Sequence, residues 1–598
     1  MAAIALTAAG CGSSSSPSSG GSSTAKVKGG TVTWAELPSS QANYIFPFMS
    51  LAYFSVSNSQ DFQYQMYRPL YWFGGENLQP TLDAGLSPAD TPTYTDSGKT
   101  VVINLKGWKW SNGETVDAND VLFWLHMMSA EIANWAGFSP NGIPQNITSM
   151  SATGPDQVTL HLDKAYSDLW YTYNELSQIT PMPMAWDVTS AGAKAGSGGC
   201  TTAVAPYTAC KAVYNFLAAQ AKNTGSYTSS PIWGVVDGPW KLSAFNTAGN
   251  DSFVPNTKYS GPQKPTISEF TEVPYTSDTA EYTALQSGAV DIGYIPAADL
   301  PVKSPTQALP STNPLGSSYA LAANYDWGFA YYQVNWTNNA MGPVFKQLYA
   351  RQALELVADQ NGIAKATDRG YGYANTGAAP AEPASNPWLS STQKENGGQG
   401  PYPFNPAKAA TLLEAHGWKM VGGTMECQTP SKCGAGITQG QKFTFTLDYS
   451  TGQAAFTQEA AIYKSDASKA GIDVNIVGQT FNTIIGEALP TNKNWQGAMY
   501  GLWIYSPDYE PTGEDLFATG AGSNSGAYSD KTMDSLINAT ETTNGYSAYH
   551  TFANYAAIQL PFIYMPLSYG VNAVSSKLHG VIFNPLQTEL PEYYYFTK

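Results

Sequence analysis

KFTFTLDYSTGQAAFTQEAAIYKSDASKAGIDVNIVG, residues 442–478, decides the fold class. Lys442–Ser450 reads as a strand. A helical stretch through Glu459 and Lys469 follows, stops at Gly471, and gives way to a second strand, Ile472–Gly478. Strand, helix and strand in that order form a parallel crossover unit, which predicts an α/β protein rather than a β-sandwich. The neighbouring segments agree. TVVINLKGWKW (Thr100–Trp110) and QVTLHLD (Gln157–Asp163) alternate apolar and polar residues with the period of half-buried strands. That alternation turns His161 away from the side shared by Val158, Leu160 and Leu162. VFKQLYARQALELVADQNGI (Val344–Ile363) spaces Phe345, Leu348, Ala353 and Leu356 as one helical face. NPAKAATLLEAHG (Asn405–Gly417) carries Asn as N-cap, Pro in the first turn and Gly as terminator. No repeat of solenoid length is present.

At the other end of the chain, ALTAAGC (Ala5–Cys11) is followed directly by the tether GSSSSPSSGGSSTA. Small residues before a cysteine suit a peptidase that grips extended backbone, and the layout predicts a bacterial lipoprotein with lipid on Cys11. Ten residues precede Cys11 and none is Lys or Arg, so this reading expects residues 1–10 to be a truncated signal, 11–25 a flexible tether, and the start codon to lie upstream. Of five cysteines Cys11 is the odd one. The others form two close pairs, Cys200 with Cys210 and Cys427 with Cys433. Each pair suits a small disulfide-closed loop in an oxidising compartment. A metal site is the rival, but neither histidine nor CxxC spacing accompanies the pairs.

Composition excludes several function classes. The 598 residues carry a net charge of −16 and only 12% charged side chains, against roughly 25% in typical domains. Such acidity disfavours nucleic acid, whose phosphates call for Lys and Arg, and disfavours anionic lipid surfaces. After Cys11 no apolar run is long enough to span a bilayer. The length calls for two or three packed lobes. The 38 Tyr and 16 Trp suit a cleft that holds a polar-apolar ligand by stacking, although a large core accounts for most of them.

Five blocks in order carry a family resemblance. TYTDSGKTVVINLKGWKWSNGETVDANDVLFWL (Thr93–Leu125) resembles the strand, "kWSDG" turn and helix-opening "aDDV" pattern of the family 5 extracellular solute-binding proteins, with Asn112 in place of the usual Asp. GPWKLSAF (Gly238–Phe245), ALQSGAVDIGYIP (Ala284–Pro296), YARQALELVADQNGI (Tyr349–Ile363) and WIYSPDYEPTGEDLF (Trp503–Phe517) resemble further blocks. The resemblance runs from about Lys28 to the C-terminus. It implies a periplasmic-binding-protein-like fold: two α/β lobes around a ligand cleft plus an additional α/β domain. Transferred here, lobe one takes residues 26–70, 186–262 and about 555–598, the additional domain 71–185, and lobe two 263–554.

The resemblance also implies function. Such proteins are receptors of ABC importers that take up dipeptides, oligopeptides or nickel, so it implies an extracytoplasmic receptor with permease and ATPase partners and no cofactor; with the lipid expected on Cys11, the expectation is a lipid-anchored monomer. In peptide-binding members an aspartate shortly after a tryptophan pairs with the ligand's amino group. Here Ser506 stands three residues after Trp503, and the carboxylate for that role is Asp508; an exposed acidic turn is the other reading of Asp508 and Glu510. For a ligand carboxylate the arginines are Arg68, Arg351 and Arg369. The first two read as structural, which leaves Arg369 in DRGYGYANTGAAP. Trp34, Tyr44 and Tyr505 are candidate stacking walls, with core packing as the alternative for each.

Enzymatic motifs are missing. The chain has no HExxH and no GxSxG serine, and SGKT (Ser97–Thr100) lacks the leading glycine of a phosphate loop. Glu114, Asp117 and Asp120 read as an acid-rich helix start. The rival functions are a secreted glycan hydrolase using paired carboxylates and an importer-independent sensor or adhesin.

Overall fold

The computed structural model describes residues 26–74, 79–304 and 306–597. Cys11, its signal and its tether lie outside the described residues. The crossover unit forms as read. Strand Thr444–Ser450 runs parallel to Asp473–Gln479, in register from Thr444 opposite Asp473 to Ser450 opposite Gln479. Helix Ala454–Lys469 connects them, burying Ala460, Tyr463 and Ala467 at the spacing of one helical face. Gly471, at φ +74°, ends the connection in a conformation that favours glycine. The sheet continues through Gly497–Met499 to Gly328–Val334, and Leu502–Ile504 and Ile563–Met565 pair with the latter. Every residue of Gly328–Val334 is buried, as expected of a central strand covered on both faces.

A second, seven-stranded sheet has the order Tyr319–Asn324, Gly570–Ser575, Ile292–Tyr294, Thr31–Ala35, Glu269–Val273, Asp251–Pro255, Trp240–Phe245. It corrects the expected lobe boundary at 262/263. Glu269–Val273 and Ile292–Tyr294 both run parallel to Thr31–Ala35, and Asp291 accepts hydrogen bonds from Thr33 N–H (3.0 Å) and Thr33 Oγ1 (3.1 Å). The chain therefore stays with the first lobe until about residue 325. The expected return near 555 also moves, because Ile563–Met565 still pairs in the second lobe and Gly570–Ser575 in the first. Two short crossings, 325–327 and 566–569, join the lobes.

A four-stranded antiparallel sheet, Thr93–Thr95, Thr100–Asn104, Gln157–Leu162 and Ile147–Gly154, stands apart from both. His161 is exposed while Val158, Leu160 and Leu162 are buried, and SGKT lies at the turn between the first two strands. Helix Ala118–Ala130 follows the acid-rich start: Asp117 accepts from Asn119 N–H, and Asp120 accepts from Asp117 N–H (3.0 Å) and Trp110 Nε1–H (2.8 Å). This capping box stitches the block's turn to its helix. Helix Pro406–Ala415 is capped by Asn405. Val344–Ile363, in contrast, is not one helix. Gln347 is extended and Asp359 caps a new helix through Gly362 N–H, so the segment divides into Gly342–Phe345, Leu348–Leu356 and Gln360–Thr367.

Most aromatic residues are core. Phe46, Trp186 and Trp233 meet with ring centroids 5.4–6.0 Å apart, edge-on or tilted as ring quadrupoles prefer. Disulfides join Cys200 to Cys210 and Cys427 to Cys433. Among the described residues no helix is long and apolar enough to cross a membrane.

Candidate functional site: an acidic cleft between the lobes

A cavity of about 260 Å³ lies where the two lobes face each other. The first lobe contributes Trp34 and Glu36, at the end of its central strand, with Asp61 and Phe583; the second contributes Tyr331, Phe456, Glu459 and Leu502. A smaller cavity of about 140 Å³ adjoins it, shares Asp61, Phe456 and Gly501, and adds Phe54 and Trp503. Enclosure by side chains from distant segments, with apolar walls and a few polar groups, is the usual form of a small-molecule site.

The lobes touch beside this cavity. Asp278 of the first lobe donates its N–H to Gly452 O (3.2 Å) and accepts from Ala454 N–H (2.9 Å), at the N-terminus of the crossover helix. The Tyr294 hydroxyl holds the other Asp278 oxygen at 2.5 Å. Gly452, at φ +103°, comes so close that a Cβ there would sit 2.7 Å from the Pro38 side chain.

The residues singled out from sequence separate into three groups. Trp34 and Trp503 line the cavities. The Trp34 ring lies 6.1 Å from Phe583 and the Trp503 ring 5.9 Å from Phe54; Trp503 Nε1–H meets no protein acceptor. Tyr44, Tyr505 and Asp508 line neither cavity and are buried. Tyr44 stacks on Tyr53 at 4.4 Å, and Tyr505 donates its hydroxyl to Ala378 O at 2.6 Å. Asp508 is only 4% exposed, so the exposed acidic turn does not form there. It lies beside Asp515; burial first, and then the Asp515 charge, raises its pKa well above the usual carboxylate range. Arg369 forms the third group. It is exposed at φ +50° and donates to Leu300 O at 2.9 Å, while its neighbours Asp368 and Tyr371 line the cavity. The other two arginines are buried: Arg68 pairs with Glu592, and Arg351 donates to the backbone oxygens of Phe345 and Gln559.

Glu36, Asp61, Asp368 and Glu459 were not singled out from sequence. Together they span more than 400 residues of sequence and carry no shared motif; only the fold collects them. Behind Glu36 lie Asp251 and Glu272, and one carboxylate oxygen of each of the three is within 4.8 Å of the others. An oxygen-only trio of this kind has the chemistry of a hard-cation site. Burial, with Asp251 and Asp61 next, raises the pKa of Glu36 well above the ordinary value.

Comparison with known proteins agrees with this architecture. The family described as "Bacterial extracellular solute-binding proteins, family 5 Middle" matches residues 86–525. The chain is 26% identical over 408 residues to Protein XP55 of Streptomyces lividans, covering 68% of this chain and 60% of that protein. It is 24% identical over 365 residues to the nickel-binding periplasmic protein of Escherichia coli K12, covering 59% and 63%. Both matches thus span less than two thirds of the relative's length. In three dimensions it is similar to the oligopeptide-binding protein AppA from Bacillus subtilis in complex with a nonapeptide, with TM-score 0.73, 18% identity, and 96% and 100% of the two chains covered. Lactococcal OppA, complexed with an endogenous peptide in the closed conformation, superposes with TM-score 0.70, 17% identity, and 94% and 99% coverage. With two lobes around a cleft and a family match over most of its length, this chain belongs to the bacterial extracellular solute-binding proteins of family 5.

Proposed function

We propose that the protein is an extracytoplasmic receptor that captures a peptide-like or other polar solute by lobe closure and delivers it to the permease and ATPase of an ABC importer. The observation that carries this reading is the cavity bounded by both lobes and joined across Asp278 and Gly452. The lobe boundaries that go with it are 26–70, 186–325 and 570–598 for the first, 71–185 for the additional domain, and 326–566 for the second. Contacts made only in the shut state are what drive closure. Its solute is expected to bind one to one without being transformed, to reduce the radius of gyration in solution scattering, and to raise the melting temperature in proportion to the logarithm of excess ligand. Trp503→Ala, which removes a wall of the cleft, is expected to weaken the co-purifying solute roughly three- to tenfold, the worth of one aromatic contact. Chemical turnover of that solute by the purified protein would overturn the receptor reading.

Anchoring through lipid on Cys11 belongs to the same proposal, and it makes the receptor a monomer tethered to the outer face of the cytoplasmic membrane. With a complete signal in place, Cys11→Ser is expected to move the protein from the membrane fraction to the soluble fraction, because stable anchoring takes more than one acyl chain. A variant that stays with the membrane would show that the anchor is elsewhere.

A further inference from the structure

The charged side chains that line the larger cavity are Glu36, Asp61, Asp278, Asp326, Asp368 and Glu459, with no Lys, Arg or His among them. Two of the six are already engaged by the protein. Asp278 accepts from Tyr294 and Ala454, and Asp326 from Gln587 at 2.9 Å. The remaining four fall into two pairs on opposite walls: Glu36 and Asp61 on the first lobe, Asp368 and Glu459 on the second. No cation of the protein forms an ion pair with any of these four among the described residues. The Oε2 of Glu36 and the hydroxyl of Tyr371, which is 1% exposed and lines the same cavity, meet no protein partner at all. Buried polar groups left in that condition are ordinarily completed by something else.

Resting on the receptor reading, we infer that the cleft selects a solute carrying at least two separated cationic groups, ammonium or guanidinium, with no free carboxylate. One cationic end meets Glu36 and Asp61 and the other meets Asp368 and Glu459, so the solute bridges the lobes. The Tyr371 hydroxyl supplies a further polar contact. Trp34 and Phe456 face the apolar stem that separates the charges, and cations are attracted to such aromatic faces. A carboxylate in this cavity would meet like charge on both walls, and Arg369 does not line the cavity, its guanidinium being engaged by Leu300 O at 2.9 Å. Burial pushes Asp61 up to about 8 and Asp368 up to about 7, as befits carboxylates that the protein itself gives no counter-charge.

The test is calorimetric titration of the mature chain at pH 8 with spermidine, lysyl-lysine amide and the free acid trialanine. Spermidine or the amide is expected to bind one to one, and trialanine to give no heat of binding. Asp61→Asn and Glu459→Gln, one on each wall, are each expected to weaken the cationic probe about tenfold or more, as loss of a charge-assisted hydrogen bond does. Both variants are near-isosteric and remove unpaired charge, and their folding is checked by melting temperature. Equal binding of the cations to wild type and both variants would mean general attraction to an acidic protein and would overturn the inference. Silence from both cations would also overturn it. Binding of trialanine in their place would overturn it and leave the receptor reading standing, whereas turnover of the bound probe would remove the receptor reading itself.

Discussion

Between pH 5 and pH 7.5 the melting temperature is expected to fall, by on the order of 10 °C, instead of holding the neutral-pH plateau common to globular proteins. The cause is a set of buried carboxyls without counter-charge. Glu175 is 1% exposed and its pKa is pushed up to about 8 by burial, despite the N–H of Ile143 at 2.8 Å. Glu281 and Glu355 are likewise pushed up to about 8, again by burial first. In the unfolded chain these groups ionise near pH 4. Between the unfolded and folded values the native state holds protons that the unfolded state has released, so stability falls as pH rises. Each group removes roughly 1.4 kcal/mol per pH unit within that window. The contribution is fully present below about pH 4 and is lost by about pH 8. Glu355→Gln should flatten the slope and raise stability at pH 8, because its amide keeps an acceptor for Tyr564 N–H (2.9 Å) without the titration. A melting temperature that is level or rises from pH 5 to 7.5 would sink this account.

Arg68→Ala is expected to cost about 3–5 kcal/mol, read as a shift in denaturant midpoint, since it leaves a buried carboxylate without its partner. Arg68 and Glu592 form an ion pair whose side chains are both 0% exposed. The guanidinium lies 4.0 Å over the Trp72 ring, and the Arg68 N–H donates to Asp237 at 3.0 Å. Residues 524 apart in sequence are thereby fastened, the N-terminal segment to the C-terminal tail. Arg68→Met combined with Glu592→Gln should recover most of the loss, because neutral residues of similar shape avoid desolvating two charges. A single variant as stable as wild type would mean that water already reaches the pair.

How much of this was legible in the sequence follows from where each signal resides. The crossover unit was readable because periodicity, a helix of ordinary length and Gly471 are all local. The additional domain's opening was readable because Asp117, Asp120 and Trp110 act within a few residues of one another. The cysteine pairs were readable from spacing alone. Val344–Ile363 misled because its apolar spacing stays helical across Gln347 and Asp359, where the backbone turns. The lobe boundary misled because membership of a sheet is decided by partners such as Thr33 and Asp291, 258 residues apart. The cleft's carboxylates were the least legible. Single Glu and Asp residues are ordinary in sequence, and only tertiary structure sets four of them against one cavity with no base among them.

The contact of Gly452 with Pro38, and the two hydrogen bonds across Asp278 beside it, are made between protein atoms whatever solute is enclosed. They therefore favour the shut state by the same amount for every ligand. Observed affinity equals the intrinsic affinity scaled by the share of molecules able to adopt the binding form. A change at Gly452, which lines neither cavity, accordingly multiplies all affinities by one common factor and leaves their ranking untouched, whereas a change at Asp278 also alters the charge of the cavity wall. Gain at the Gly452 contact is thereby separate from the selectivity of the cleft, and it can drift without disturbing the preference among solutes.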